Sequence, residues 1–337
     1  PHGRAALGTQ AVAQPHALAY RGPVAQIANQ QSGFRIVVAG GGYAGGTLAL
    51  ALAQLAPRTC RVTLLDAAPP DVAREPDGRG LALSPSSKNL LSALGLWPRL
   101  APGAQSMDSI EITDSPLNAA LRPHLLGFTD ELRDEGAKAW LVEAGALLAA
   151  ITEAVVAHPG IELIGRDTVQ GFEADGFGAD IHLASGRTLR AALIAAADGK
   201  NSRLRELAGI KCIGWSYAQK GIVATLSHER PHRGRAIQHF LPAGPFAILP
   251  LKGNRSSIVW TEDADKATAL VAGDPDVFLA ELGRRFGHRL GAIFLEGRPR
   301  AFPRAFQMAR AFVGDRLALV GDAAHVLHPL AGQGLNI

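Results

Sequence analysis

The sequence predicts an α/β protein in which a Rossmann-like dinucleotide-binding domain is interrupted by a mixed β-sheet domain. Three observations lead there. A strand, a glycine turn, a helix and a second strand follow one another from Phe34 to Leu65. A further buried strand enters an Asp-Gly turn at Asp198-Gly199, and another enters a Gly-Asp turn at Gly321-Asp322. Between those two, the periodicity changes to alternating strands separated by Gly and Pro.

Taken in order, Phe34-Arg-Ile-Val-Val-Ala39 is a short β-branched run that reads as a buried strand. Tyr43 to Leu55 reads as a small-residue helix packed close to a sheet, and Arg61 to Leu65 as a second buried strand. That is one βαβ unit, with parallel strands and a right-handed crossover. Residues 67–80 are rich in Pro and Gly and read as a long loop. Ser84 or Ser87 caps a helix running toward Leu94, stopped by Gly95-Leu-Trp97-Pro98. Asp108 to Thr113 alternates as a half-buried strand does. Trp140 to Val156 is predicted as the strongest helix, closed by His158-Pro159-Gly160. Short strands follow at Glu162–Ile164 and Thr168–Glu173, then a hairpin around Ser185-Gly186 and the strand Leu193–Ala197. Alternating strands fill Trp215 to Thr261, Pro275 to Phe286 is helical, and Leu317 to Val320 is again a buried, parallel-type strand.

At 337 residues the chain exceeds the usual size of one domain. The expected division gives residues 34–106, 136–213 and 311–337 to a discontinuous dinucleotide domain, and 107–135 and 214–310 to a substrate domain. Residues 1–33, rich in Ala, Gln and Pro, are expected to be a disordered tail and are set aside. Hydrophobic residues make up 47% and charged residues 19%, which suits a soluble globular protein with ample core. Of the net charge of +4, residues 1–35 carry three arginines and no acid, so the remainder is nearly neutral. That argues against a nucleic-acid-binding surface. Cys60 and Cys212 lie far apart with no CxxC pairing, which argues against a disulfide framework or a zinc site and for a reducing cytoplasm. No apolar run is long enough for a spanning helix, and the first 33 residues lack the apolar stretch of a secretory signal.

Gly40-Gly-Gly42-Tyr43-Ala44-Gly45 stands after a strand and opens a helix, with Asp66 at the end of the next strand. That context gives a GxGxxG its meaning: Gly40 permits the tight turn, Gly42 lets the backbone approach a pyrophosphate, and Gly45 lets helix and strand pack closely. Asp66 can accept hydrogen bonds from ribose hydroxyls. Asp198-Gly199-Lys-Asn201-Ser202 follows a buried strand, and Asn201 or Ser202 can cap the next helix; alone, this is an ordinary strand–turn–helix. Gly321-Asp322-Ala-Ala-His325, continuing to His328-Pro329-Leu-Ala-Gly332-Gln333-Gly334-Leu335-Asn336, sets a carboxylate at a strand end before a Pro-Gly-Gly loop and a helix. Such a unit can hold a polyol chain and offer backbone N–H groups to an anion.

These three motifs, in this order, resemble the single-component FAD-dependent aromatic monooxygenases with the p-hydroxybenzoate hydroxylase-like fold. Within them the resemblance is to the ubiquinone-biosynthesis hydroxylases of the UbiH/UbiF type. It is carried by Arg79-Gly-Leu-Ala-Leu-Ser84, Leu94-Gly-Leu-Trp97, Trp215 to Gln219 and Gly221 to Thr225. Phe240-Leu-Pro242, Gly244 to Leu251 and His325 to Asn336 add to it, so that it spans Phe34 to Ile337. The resemblance implies FAD as cofactor and NAD(P)H as co-substrate, so the first domain would be an FAD-binding domain. Gly40, Gly42, Tyr43, Ala44, Gly45 and Asp66 would hold the ADP half. Arg79 would reach the phosphate or ring region, Asp322 the ribityl chain, and Pro329, Gly332, Gln333, Gly334, Leu335 and Asn336 would border the isoalloxazine. Asp198 and Gly199 would serve both FAD binding and NAD(P)H use, and Glu143 matches loosely a position that touches the flavin.

The implied reaction is hydroxylation of the ring of a polyprenylated phenol or quinol precursor in ubiquinone biosynthesis, with O2 activated as a flavin hydroperoxide. Peripheral contact with the inner membrane and with other ubiquinone-biosynthesis proteins belongs to the same expectation. The family's next helix has barely started at Leu335-Asn336-Ile337, and further helices normally follow. A non-catalytic scaffold within a quinone-biosynthesis assembly, or another flavin oxidoreductase of the same fold, are the alternatives. The Trp-x-Trp signature of halogenases is absent, since the chain reads Gly214-Trp-Ser-Tyr217. Catalytic side chains are not assigned, because the hard chemistry belongs to the flavin.

Other prominent residues take plainer readings. His325 and His328 are expected to shape loops by hydrogen bonding. His228, His232 and His239 stand at no metal-ligand spacing. Trp215, Phe240, Phe246 and Trp260 are expected in the sheet core, with Phe246 also a pocket candidate, and Glu262, Asp263 and Asp265 in a solvated turn.

Overall fold

The computed structural model describes residues 34–56, 59–69, 78–117, 123–128, 139–327 and 333–336. The tail 1–33, residues 70–77 of the expected loop, His328, Pro329 and Gly332 lie outside these described residues.

The glycine-turn unit forms as strand β1 (Arg35–Ala39), helix α1 (Tyr43–Leu55) and strand β2 (Arg61–Asp66). Then come β3 (Gly80–Leu83), α2 (Pro85–Ala93), α3 (Trp97–Leu100), β4 (Gln105–Met107), β5 (Ser109–Asp114), β6 (His124–Phe128), β7 (Ala139–Glu143) and α4 (Ala144–Ala157). Short strands β8 (Ile161–Gly165), β9 (Val169–Asp175), β10 (Gly178–Leu183), β11 (Thr188–Ala191) and β12 (Leu193–Ala196) lead to α5 (Arg203–Leu207). The long strands β13 (Cys212–His228), β14 (Arg235–Leu241), β15 (Gly244–Leu251) and β16 (Arg255–Asp263) precede α6 (Ala264–Ala272) and α7 (Pro275–Phe286). The remainder is β17 (Ile293–Ala309), β18 (Val313–Gly314), β19 (Leu317–Leu319), a 3₁₀ turn at Gly321–Ala323, β20 (His325–Val326) and α8 (Gln333–Asn336).

Two sheets organise the molecule. The first has the order β18-β19-β12-β1-β2-β8, parallel except for β18. On one face, Val38, Leu50 and Leu64 pack with Ile151 and Val155 of α4. On the other, Val37 and Ile194 pack with Ile181 and Leu189 of a small antiparallel sheet, β11-β10-β9. The second large sheet has the order β20-β17-β13-β16-β15-β14-β5-β6 and is mixed, because only β14 and β5 run parallel. Its Ile222, Phe246, Ile258 and Trp260 face Phe278 and Leu282 of α7. Each large apolar side chain buried this fully contributes about 1.5–3 kcal/mol. The opposite face sets Leu251 and Ala236 against Met107 and Leu141 of a third, antiparallel sheet, β3-β7-β4.

Several expectations need correction. The helix expected over Trp140–Val156 begins only at Ala144, because Ala139–Glu143 is the middle strand between β3 and β4. Two ladders satisfy its backbone, and Trp140 and Val142 suit a pleated surface. Gly95 to Pro98 does end α2, yet Pro98 then stands in the first turn of α3, where its missing N–H costs nothing. Trp215 is 53% exposed rather than core, stacked on Phe306 at 4.6 Å. Phe246 is fully buried, which removes it as a pocket candidate. Glu262 is 2% exposed, not a solvated turn residue: Arg285 Nη2 donates to it at 3.0 Å, and that guanidinium lies 4.1 Å from the Trp260 ring centroid. Asp263 caps α6 by accepting the Asp265 N–H.

Candidate functional site

The C-terminal ends of β2, β1, β12 and β19 lie side by side, so all three sequence motifs meet along one edge of the parallel sheet. Backbone bonds tie them: Gly40 N–H donates to Leu65 O, Ala197 N–H to Ala39 O and Val320 N–H to Ala196 O, each at 2.8 Å. Gly40 has φ 107°, and a Cβ there would stand 2.2 Å from Ala197 O. A Cβ on Gly45 would stand 1.8 Å from Gly40 O, so the turn and the helix after it touch through bare backbone. At Gly42, which precedes the first turn of α1, a Cβ would meet nothing within 4 Å. That open space lies where the helix presents its unpaired N–H groups and positive dipole end.

Asp66 ends β2. Its Oδ1 accepts the Ala68 N–H at 3.0 Å, and its Oδ2 lies 2.3 Å from where a Gly41 Cβ would be. Tyr43 donates its hydroxyl to Ala144 O at 3.2 Å, tying α1 to α4. Ala44 meets the third motif: a Cβ on Gly321 would stand 3.0 Å from Ala44 Cβ.

Asp198 uses one oxygen structurally and leaves the other spare. Oδ2 accepts the Leu204 N–H of α5 at 3.1 Å, whereas Oδ1 is buried without a hydrogen-bond partner among the described residues. Gly199 follows at φ 85°, and Ser202 is the cap, accepting the Arg205 N–H at 3.0 Å. Arg205, which the sequence did not single out, is buried and joins two motifs. Its Nη1 donates to Ala323 O at 2.8 Å and its Nη2 to Lys200 O at 2.9 Å. Only its place three residues after a capping serine hinted at this.

Asp322 is accessible to solvent and yet has much protein around its carboxyl. That surrounding protein pushes its carboxyl above the usual carboxylate range, and the charges of His325, Arg79 and Lys200 oppose the shift. Arg79 therefore reaches the Gly-Asp motif electrostatically, and its guanidinium lies 5.6 Å from the Phe302 ring centroid. His325 packs against Phe312, and its Nδ1 is buried without a hydrogen-bond partner among the described residues.

Glu143 ends β7 opposite Gly80, next to Arg79, and pairs with Arg255 at 2.7 Å, which also pairs with Glu296 at 2.9 Å. Gln333 opens α8, Gly334 is exposed, and Leu335 packs against the core under α1 and α4. Asn336 acts as a clasp. Its Oδ1 accepts from Ser84 N–H and Ser87 Oγ, both at 2.8 Å, and its Nδ2 donates to Ala82 O at 2.7 Å.

His228 and His232 are held within the large sheet by hydrogen bonds to Ser256 Oγ and Leu251 O, and His239 meets Thr113 Oγ1 at 2.5 Å. Among the described residues no cluster of His, Cys, Asp or Glu is placed to hold a metal, and no helix is long and apolar enough to cross a membrane. A cavity of about 280 Å³, lined by Pro116, Leu241, Pro242, Trp260, Glu262 and Arg285, contains none of the motif residues.

The open backbone before α1, Asp66 at the end of β2, the unpartnered oxygen of Asp198 and the accessible Asp322 fit an adenine dinucleotide such as FAD. Fold and site together define a flavoprotein of the monooxygenase architecture. The crystal structure of PqsL, a probable FAD-dependent monooxygenase from Pseudomonas aeruginosa, superposes with a TM-score of 0.74 at 20% identity, covering 90% of this chain and 82% of that one. The FAD binding domain family matches residues 34–337. Ubiquinone hydroxylase UbiL of Rhodospirillum rubrum is 40% identical over 303 residues, 89% of this chain and 68% of the relative. The 3-demethoxyubiquinol 3-hydroxylase of Escherichia coli is 33% identical over 311 residues, 90% of this chain and 76% of the relative. The chain belongs to the FAD-binding ubiquinone-biosynthesis hydroxylase family, and FAD is its cofactor.

Proposed function

We propose that this protein is an FAD-dependent monooxygenase that hydroxylates the aromatic ring of a polyprenylated phenol or quinol precursor in ubiquinone biosynthesis, consuming NAD(P)H and O2. The observation that carries this reading is the meeting of all three cofactor motifs along one sheet edge, next to a second large sheet. Gly40, Gly42, Tyr43, Ala44 and Gly45 form the diphosphate seat, Asp66 takes the ribose, and Asp198 with Gly199 and Asp322 take the chain that leads to the ring. FAD, when bound, would supply the redox chemistry by which two electrons from the reduced nicotinamide and O2 yield one oxygen atom for the substrate ring and one water.

The protein's own part is to bind, orient and exclude water. Thr225 Oγ1 donates to Gly78 O at 3.2 Å and Gly80 N–H donates to Ser257 Oγ at 3.0 Å, which fastens the large sheet over the Gly78–Gly80 segment that carries Arg79. A covered site keeps the reactive oxygen from reacting with water before the ring arrives. Arg79, stacked on Phe302, brings positive charge to this side of the cleft. Pro329, Gly332, Gln333 and Gly334 are assigned to the ring border. Asn336, held by Ser84, Ser87 and Ala82, completes that border, and Glu143, paired with Arg255, stands opposite Gly80 beside it. The domain division 34–106, 136–213 and 311–337 against 107–135 and 214–310 belongs to the same proposal. Sheet membership supports it, with β20 crossing over as an edge strand of the large sheet. A prenylated substrate would be drawn from a membrane surface by peripheral contact.

The test begins with the visible spectrum of the purified chain before and after adding FAD. Flavin bands that bleach with NADPH or NADH without oxygen, and one oxygen atom from labelled O2 incorporated into a short-chain prenylphenol, are expected. A chain that binds FAD and oxidises NAD(P)H with no labelled product would overturn the hydroxylase reading.

A further inference from the structure

Gln238, in the middle of β14, carries a buried amide with nothing to bond. Its Nε2 is closed to solvent and has no hydrogen-bond partner among the described residues. The direction of the side chain follows from the ladder. His239, the next residue, stands opposite Phe246, and Phe246 packs with Phe278 of α7. Side chains alternate along a strand, so Gln238 and its opposite number Ala247 point to the other face of the large sheet.

That face is the one turned to the cofactor motifs. Ala247 stands opposite Val259, and Val259 opposite Val223, which makes one row across three strands beside Gln238. The row on one side holds Ser257 and Thr225, which bond to Gly80 and Gly78. The row on the other side holds Thr261, Gly221 and Phe302, and Phe302 carries Arg79, whose charge acts on Asp322. Gln238 therefore ends a row that lies between two rows both tied to the Gly78–Gly80 segment. The rest of its own row is small and apolar. A flat ring can rest on Val223, Val259 and Ala247, yet such a floor leaves the ring free to turn in its plane. Binding sites of this kind fix orientation with a few polar groups set in apolar walls. A buried amide without a partner weakens the fold, and an oxygen on the ring would satisfy it.

We propose that the Gln238 amide donates a hydrogen bond to an oxygen carried by the aromatic ring of the substrate, and so fixes which ring carbon faces the flavin. The inference rests on the proposed function, in which a phenol or quinol ring lies between FAD and the large sheet. An amide neither releases nor takes up a proton at neutral pH, so the contact orients the ring without ionising it.

The experiment uses the FAD-loaded chain as wild type, Gln238→Leu and Gln238→Glu. Leucine keeps most of the bulk and removes the donor; glutamate keeps the shape and, when ionised, only accepts. Dissociation constants for a short-chain prenylphenol and for the matching prenylbenzene, which lacks the hydroxyl, are read from the flavin spectrum. The hydroxylated carbon is identified, and hydrogen peroxide released per NAD(P)H oxidised is measured. FAD affinity and melting temperature are followed in parallel. Wild type should prefer the phenol by about 10- to 100-fold, the worth of one buried hydrogen bond, and Gln238→Leu should bind the two compounds alike. Both variants should give mixed ring isomers and more peroxide, because a ring that turns in its plane is no longer aligned for transfer. FAD affinity should be unchanged, and the melting temperature of Gln238→Leu no lower, since an unmatched buried amide has been replaced by an apolar group. Gln238→Glu gives the same reading if Gln238→Leu folds poorly. Variants that keep the wild-type preference for the phenol and a single product would overturn the proposal, whatever their melting temperatures. So would a wild type that forms labelled product yet binds phenol and prenylbenzene alike, with the hydroxylase reading left standing. A wild type that forms no labelled product overturns the inference together with the reading on which it rests.

Discussion

Gly45 and Asn336 show two different reasons for a residue to be fixed in a cofactor site. At Gly45 the reason is space, because its hydrogen lies where a methyl group would press on Gly40 O from 1.8 Å. Gly45→Ala must push α1 away from the turn, since the obstacle is backbone and cannot rotate aside. The expected cost is about 1–3 kcal/mol of stability together with weakened FAD binding, read from denaturant melts and a flavin titration. An unaltered FAD titration would remove Gly45 from the diphosphate seat. Asn336 is fixed by hydrogen bonds to Ser84, Ser87 and Ala82. Asn336→Ala leaves those groups half-buried and unmatched. It should cost about 1–3 kcal/mol and loosen α8 from α2, seen as faster amide exchange at Ser84. Asp198 is held through one oxygen, which accepts the Leu204 N–H of α5, while its other oxygen has no partner among the described residues.

At the scale of elements, α7 is anchored by its charges as well as by its apolar face. Arg285 bridges Glu262 at the end of β16 and Glu281 one turn earlier on α7, at 3.0 and 2.7 Å. The Arg285 hydrogen bond is the largest influence on the Glu281 carboxyl and holds it below its ordinary value of 4.5. A depressed carboxyl stabilises the fold at pH above its unfolded-state value, and the contribution is lost as pH falls through the lower folded-state value. The melting temperature should therefore drop on acidification below about pH 4.5 more steeply in wild type than in Glu281→Gln. Identical acid limbs in the two proteins would remove Glu281 from the linkage. The segment from Ala139 to Ala157 makes a related point about elements. Its mainly apolar sequence carries on through a strand and a helix, and the ladders to β3 and β4 divide it at Glu143.

For the whole molecule, the cofactor motifs are far apart in sequence and adjacent in space, so FAD would fasten together segments around residues 40, 198 and 322. A ligand that contacts every segment binds the folded chain and not the unfolded one. Saturation with FAD at about 100 times its dissociation constant should add about 2.7 kcal/mol, appearing as a melting temperature that climbs with the logarithm of FAD concentration. A melting temperature indifferent to FAD would mean that the motifs do not form a common site.

Much of this architecture was legible in the residues because it depends on local rules. The short apolar runs before Gly40, Asp198 and Gly321 mark buried parallel strands, and glycine with an acid at the strand ends marks turns open to a ligand. The helix over Pro275–Phe286 could be read to the residue, since Asp274 caps it, Pro275 starts it and Gly287 ends it. What could not be read required partners distant in sequence. The fate of Ala139–Glu143 depended on β3 and β4, and the burial of Glu262 on Arg285, 23 residues away. The exposure of Trp215 depended on which face of β13 found a cover, and the role of Arg205 on a carbonyl at Ala323. The sequence alone therefore determined the class of fold, the cofactor motifs and their order, all properties of short segments and their backbone geometry. Only the tertiary structure decided which polar groups were satisfied and which, like Asp198 Oδ1, found no partner among the described residues, because satisfaction of a buried group depends on everything packed around it.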